Sequence, residues 1–110
     1  MENAAINLTL HLGDCNDYMG QMEPNSIDLT VTSPPSDNLR NYEDTLKWDW
    51  ETFEEVAGNL YNITKLGGVV VWIVGDATID GSETAHAFVQ ALYFKDCGFN
   101  LHDTMIYHKE

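Results

Sequence analysis

Ile27-Asp28-Leu29-Thr30-Val31-Thr32-Ser33-Pro34-Pro35 is the stretch on which the reading of this chain turns. Its first six residues are rich in β-branched side chains and read as a strand. The two prolines must end that strand, because proline brings no donor to a ladder. A second apolar run, Val69-Val70-Val71-Trp72-Ile73-Val74, is continuous rather than alternating. Such a run suits a strand covered on both faces, as in a parallel sheet. Between the two lies the clearest helical pattern in the chain. Trp50, Phe53, Val56, Ala57, Leu60 and Ile63 recur at helical spacing within Asp49 to Lys65, with Asp49 as N-cap and Gly67 as stop. Strand, helix, strand in that order is the unit of an α/β fold.

Outward from this centre the expectations continue. Leu8, Leu10 and Leu12 alternate with polar residues and predict a strand over Asn7 to Leu12. Asn16 to Met22 predicts a short helix ended by Pro24-Asn25. Ser36 to Trp48 is polar and irregular, a loop. Ser82 can cap a helix running to Asp96, with Ala85, Phe88, Val89 and Leu92 on one face and Gly98 as its stop. Phe99 to His108 reads as a last strand. The alternation predicts an α/β layer fold with a mainly parallel sheet and flanking helices, one domain over residues 1–110.

The chain carries 18 acids against 5 bases, a formal net charge of −13. Seven of the acids fall between Asp37 and Glu55, against Arg40 and Lys47. Nucleic-acid affinity is normally drawn from lysine and arginine, so this chain by itself should bind DNA only weakly. Its natural counterpart is a basic surface. No run is long and apolar enough to span a bilayer, and the N-terminus lacks a signal-peptide pattern, so the expectation is a cytoplasmic protein with no membrane partner. Cys15 and Cys97 form no close pair and read as free thiols. His11, His86, His102 and His108 show no metal-ligand spacing, and no metal is expected.

In open α/β sheets ligands bind beyond the carboxyl ends of the strands. Three such ends are distinctive here: Gly13-Asp14-Cys15, Thr32-Ser33-Pro34-Pro35 and Gly75-Asp76. If the strands are parallel neighbours, these turns gather at one edge. Two consecutive prolines stiffen the exit from the second strand and hold backbone carbonyls outward, where an exocyclic amine could donate to them. The plain alternative is a stiff strand exit, and for Asp14 a turn residue.

Leu12-Gly13-Asp14-Cys15 followed by Ile27 to Pro35 resembles the β-class DNA amino-methyltransferases, which methylate cytosine N4 or adenine N6 with S-adenosylmethionine. Thr64-Lys65-Leu66-Gly67-Gly68-Val69, Gly81-Ser82-Glu83-Thr84 and Gly98 to Tyr107 continue the likeness, which covers roughly residues 8–109. It implies a partial Rossmann-like methyltransferase sheet. It also implies that Ser33 and the carbonyl of Pro34 orient the target amine of a flipped base. Pro35 would shape the turn, and Asp14 and Cys15 would lie near the cofactor's adenine.

Two departures accompany the resemblance. Ser36 stands where the family has the aromatic residue that stacks on the base. The family's Phe-x-Gly-x-Gly cofactor loop lies C-terminal to its catalytic motif, and none of the eight glycines here forms Gly-x-Gly after a strand. The catalytic expectation therefore comprises Ser33, Pro34, Pro35 and Ser36, in an incomplete or degenerate methyltransferase inactive by itself. The exposed edge of its sheet would be covered by a partner chain or a second copy. The alternative is an acidic DNA mimic that blocks a nucleic-acid-binding enzyme, of the anti-restriction or anti-CRISPR type.

Overall fold

The computed structural model describes residues 6–35, 48–75 and 78–105. Its elements run α1 (Cys15–Met19), β1 (Ile27–Thr32), α2 (Trp50–Ile63), β2 (Thr64–Trp72), β3 (Thr78–Ile79), β4 (Ser82–Glu83) and α3 (His86–Cys97). β1 and β2 pair in parallel, and β3 and β4 form a small antiparallel hairpin. The α/β class follows from this: β1, α2 and β2 make one crossover unit, with helices beside a two-stranded parallel sheet.

α2 forms where the periodicity places it. Asp49 accepts from the Thr52 amide at 2.8 Å and from the Thr52 hydroxyl at 2.7 Å, capping the first turn. Phe53, Val56, Ala57, Leu60 and Ile63 are all buried. The helix does not run to Gly67. Its last residue, Ile63, leads straight into β2, because the amide and the hydroxyl of Thr64 both donate to the Leu60 carbonyl while its backbone turns extended. A capping threonine thus ends the helix before the glycine is reached.

The sheet holds an irregularity at its amino end. Ile27 pairs with Thr64 and Leu29 with Val69, so a two-residue step on β1 faces a five-residue step on β2. Gly67 takes up the excursion with φ +83, a conformation that glycine reaches without a steric cost. Beyond it the register is regular: Thr30 with Val70, Val31 with Val71, Thr32 with Trp72. Ile27, Val70 and Trp72 pack toward Met19, Val56, Leu60 and Ile63, which form the core. Phe53 is its most deeply buried ring, with ring centroids of Trp50, Trp72, Tyr93 and Phe94 between 5.0 and 5.8 Å away.

Three expectations are corrected. Residues 7–12 form no strand, and Leu8, Leu10 and Leu12 lie exposed. A strand needs a neighbour for its amides and carbonyls, and β1 pairs only with β2 among the described residues. Residues 99–105 likewise form no strand, and 106–108 lie outside the described residues. Ser82 caps no helix: it lies in the hairpin closed by Asp80 (φ 52) and Gly81 (φ +78), and α3 begins after Ala85.

The apolar stripe of α3 is not the face it buries. Phe88, Val89 and Leu92 are exposed, whereas Gln90 is buried and Tyr93 and Phe94 turn toward Phe53. Two faces of this helix compete. The one carrying two aromatic rings prevails, because those rings bury more area and meet Phe53 edge to face.

Candidate active site at the carboxyl ends of the parallel strands

β1 and β2 run in parallel, so their carboxyl ends lie together. The amide of Ile73 donates to the carbonyl of Thr32 at 2.9 Å, one step past the last paired residues. Immediately beyond, Ser33 is exposed, Pro34 is buried and Pro35 is half-buried. A buried proline between an exposed serine and the loop anchors the turn and presents Ser33 outward. Ser36 and Asp76, both expected at this edge, lie outside the described residues.

The third turn behaves differently. Without a first strand, Gly13-Asp14-Cys15 is not joined to the sheet through a ladder. Asp14 instead caps α1, its Oδ1 accepting from the Asn16 amide at 2.8 Å. α1 is then fixed to α2, where Asn59 Nδ2 donates to Asn16 Oδ1 at 3.0 Å and Met19 is buried. Strand pairing sets the exit at Thr32-Ser33-Pro34-Pro35 beside Ile73, the residue after β2, whereas Asp14 and Cys15 belong to the helix layer. Both are exposed. Burial of part of the thiol, aided by the Asp14 carboxylate, pushes the Cys15 pKa above its ordinary value. Cys15 and Cys97 are both free thiols.

A pocket of about 180 Å³ lies at the amino end of α2, lined by Trp48, Asp49, Trp50, Phe53, His86 and Gln90. The ring of Trp48 is 6.5 Å from that of Trp72, which pairs with Thr32 at the mouth of the strand ends. Indole faces beside a carboxylate, an imidazole and an amide can hold a flat, polar ring. In sequence Trp50 reads as a core residue, and Trp48, His86 and Gln90 have no evident role. The available signal was Trp48-Asp49-Trp50, two indoles flanking a helix cap.

Comparison with known proteins bears on what this edge is. Over 100 residues, 91% of its length, the chain is 57% identical to the orphan methyltransferase M.BamHII of Bacillus amyloliquefaciens. The chain is methyltransferase-like, a partial homologue. It spans about a third of that relative's length, 32%. No protein-family model matches the methyltransferase-like chain, and no solved structure matches it. Among the described residues no helix is long and apolar enough to cross a membrane.

Proposed function

We propose that this chain is the target-amine part of a DNA amino-methyltransferase and transfers no methyl group by itself. The observation that carries this is the 57% identity to a methyltransferase over nearly the whole chain, within a match that spans 32% of that relative. The Ser33-Pro34-Pro35 turn supports it. It leaves a parallel strand at the carboxyl edge, where α/β folds bind ligands, with Ser33 exposed and Pro34 buried behind it.

Ser33 and the carbonyl of Pro34 accept from the exocyclic amine and hold its nitrogen in line for attack, while Pro35 keeps the turn rigid. S-adenosylmethionine supplies the electrophilic methyl. The residues present fit its adenine end in part: Asp14 and Cys15 are exposed at the start of α1, although one oxygen of Asp14 is already committed to the helix cap. The methionine end requires residues from the rest of a methyltransferase. Ser36 offers no stacking face for a flipped base, whereas the indole of Trp48, in the pocket at the amino end of α2, lies 6.5 Å from that of Trp72 at the strand end.

The test is a hybrid in which this chain replaces its matching segment in M.BamHII, assayed for transfer of labelled methyl groups from S-adenosylmethionine to duplex DNA. The free chain transfers none, and the hybrid transfers them in a Ser33-dependent manner. A hybrid that folds and binds S-adenosylmethionine yet never methylates DNA would refute the reading.

The net charge of −13 favours a second reading, an acidic DNA mimic that occupies the groove of a nucleic-acid-binding enzyme. That reading requires binding to basic partners that weakens steeply between low and high salt. Salt-independent binding would dispose of it.

A further inference from the structure

The pocket beside Trp48 is built by two helices. Trp48, Trp50 and Phe53 come from the start of α2, and His86 and Gln90 from the first two turns of α3. Phe53 is buried and lies deepest, Trp48 is half-buried, and Trp50 is 43% exposed, so aromatic rings line the way in.

Gln90 decides what such a cavity takes. It is 6% exposed, and the Trp72 indole donates to its Oε1 at 2.9 Å. An indole nitrogen can only donate, so the amide oxygen must face Trp72 and Nε2 must face elsewhere. Nε2 has no hydrogen-bond partner among the described residues. Yet no fully buried side-chain nitrogen or oxygen among them lacks a partner. Both statements hold only if Nε2 reaches open space, and Gln90 lines this pocket. A nearly buried amide thus presents two N–H donors, and no acceptor, to a space walled by aromatic rings.

Aromatic walls suit either a cation or a flat ring. The inward donors of Gln90 oppose an ammonium group, which has only donors of its own, and match a ring nitrogen or a carbonyl. The pocket holds about 180 Å³, below the roughly 300 Å³ at which sites for drug-sized ligands begin, so it admits a single ring system. The net charge of −13 acts against a phosphate on the occupant. We propose that this pocket binds an uncharged nitrogen heterocycle of nucleobase size, with its ring acceptor on the Nε2 amide of Gln90 and its faces against the indoles. A free nucleoside and an unpaired base in a DNA strand both offer that chemistry, and the charge favours the nucleoside. The inference stands on the pocket and does not depend on methyl transfer.

The experiment titrates the isotope-labelled chain with adenosine and cytidine, following the side-chain amide resonances of Gln90 and the indole resonances of Trp48 and Trp50 by nuclear magnetic resonance. Both nucleosides should shift these signals saturably. Indole, a similar ring without an acceptor, should bind about tenfold more weakly or less. Gln90→Glu keeps an oxygen for Trp72 but removes the inward donors, and should weaken nucleoside binding by about tenfold or more. Trp48→Ala should weaken it by about tenfold, and Trp48→Phe should restore most of the loss. Where Gln90→Glu fails to fold, the Trp48 variants and the comparison with indole decide. The monophosphates and a short single strand of DNA identify the source. Nucleosides that outbind their monophosphates assign the pocket to a free nucleoside, and a strand that outbinds both, with the same dependence on Gln90, assigns it to a base in DNA. Three results overturn the proposal: no shift at millimolar nucleoside, binding unchanged by Gln90→Glu in a protein that retains its Trp72 indole resonance, or a preference for tetramethylammonium.

Discussion

The indole Nε1 of Trp72 donates to Oε1 of Gln90 at 2.9 Å, joining the last residue of β2 to the middle of α3. Gln90 is buried, while the aliphatic residues on the other side of α3 are not. This polar contact lies on the same face of α3 as Tyr93 and Phe94, opposite the aliphatic stripe, and beside the pocket at the strand ends.

Gln90→Leu leaves the indole N–H without its acceptor and should cost about 1–3 kcal/mol. Trp72→Phe leaves the buried amide unpaired and should cost a similar amount, together with some packing. The two losses are expected to be less than additive in the double variant, since the partner of each is already gone. Urea unfolding of the four proteins measures this coupling, and strict additivity would show that the bond contributes nothing.

Two glycines in neighbouring elements should respond oppositely to alanine. A Cβ on Gly68 would lie 2.8 Å from Thr64 Cγ2, 2.9 Å from the Lys65 carbonyl and 3.0 Å from the Asp28 carbonyl. Two of these are backbone atoms of the irregular pairing and cannot swing aside, so Gly68→Ala should destabilise by about 1–3 kcal/mol. Gly58, exposed within α2, has nothing within 4 Å of a built Cβ. Gly58→Ala should stabilise by about 0.5–1 kcal/mol through helix propensity. Thermal unfolding of both variants decides the matter.

The Cys15 thiol should be alkylated more slowly near pH 8 than the same cysteine in urea, with its rate rising at higher pH. Partial burial is the chief cause of its raised pKa and Asp14 the second. Asp14→Asn should shift the profile part of the way back while preserving the cap of α1. The sign for stability follows: a thiol raised in the folded state contributes in full below its ordinary value of 9.0 and loses that contribution as pH climbs through the folded value. Peptide-resolved alkylation against pH distinguishes Cys15 from Cys97, whose thiol burial also raises.

Ser36→Tyr restores a stacking face at the position after Pro35. In the M.BamHII hybrid it should speed methyl transfer by about 5- to 150-fold, the equivalent of about 1–3 kcal/mol of base stacking. No gain from this substitution would indicate that the indoles of Trp48 and Trp50 already supply the surface, which Trp50→Ala would then reveal as a comparable loss.

What could be read from residues alone was the part held together by local pattern. The helical spacing from Phe53 to Ile63, the β-branched run from Ile27 and the continuous apolar run from Val69 are each local signals, and a helix or strand forms at each. The Ser33-Pro34-Pro35 exit falls at a strand end because proline cannot do otherwise. Leu8, Leu10 and Leu12 alternate as well as any strand, but alternation states only which face is apolar and not whether a neighbour exists to accept the ladder. α3 shows a different limit. Its aliphatic face is plainer in sequence than the face it buries, and only the position of Phe53, contributed by another helix, makes Tyr93 and Phe94 the inward residues. Trp48 and His86 meet in a pocket although all of α2 and β2 lies between them in the chain, a juxtaposition that no local window contains.

The pairing of Ile27 with Thr64 and of Thr32 with Trp72 has a consequence for the order in which the chain acquires its shape. Both contacts span the whole of α2, so the sheet cannot begin until that helix has closed the loop and brought its far end back, an entropic toll levied before any ladder bond forms. During synthesis β1 leaves the ribosome long before its partner. Until Trp72 has emerged, Leu29 and Val31 form a bare aliphatic ribbon, and the nascent protein is most exposed to mispairing while its α2 is already able to fold.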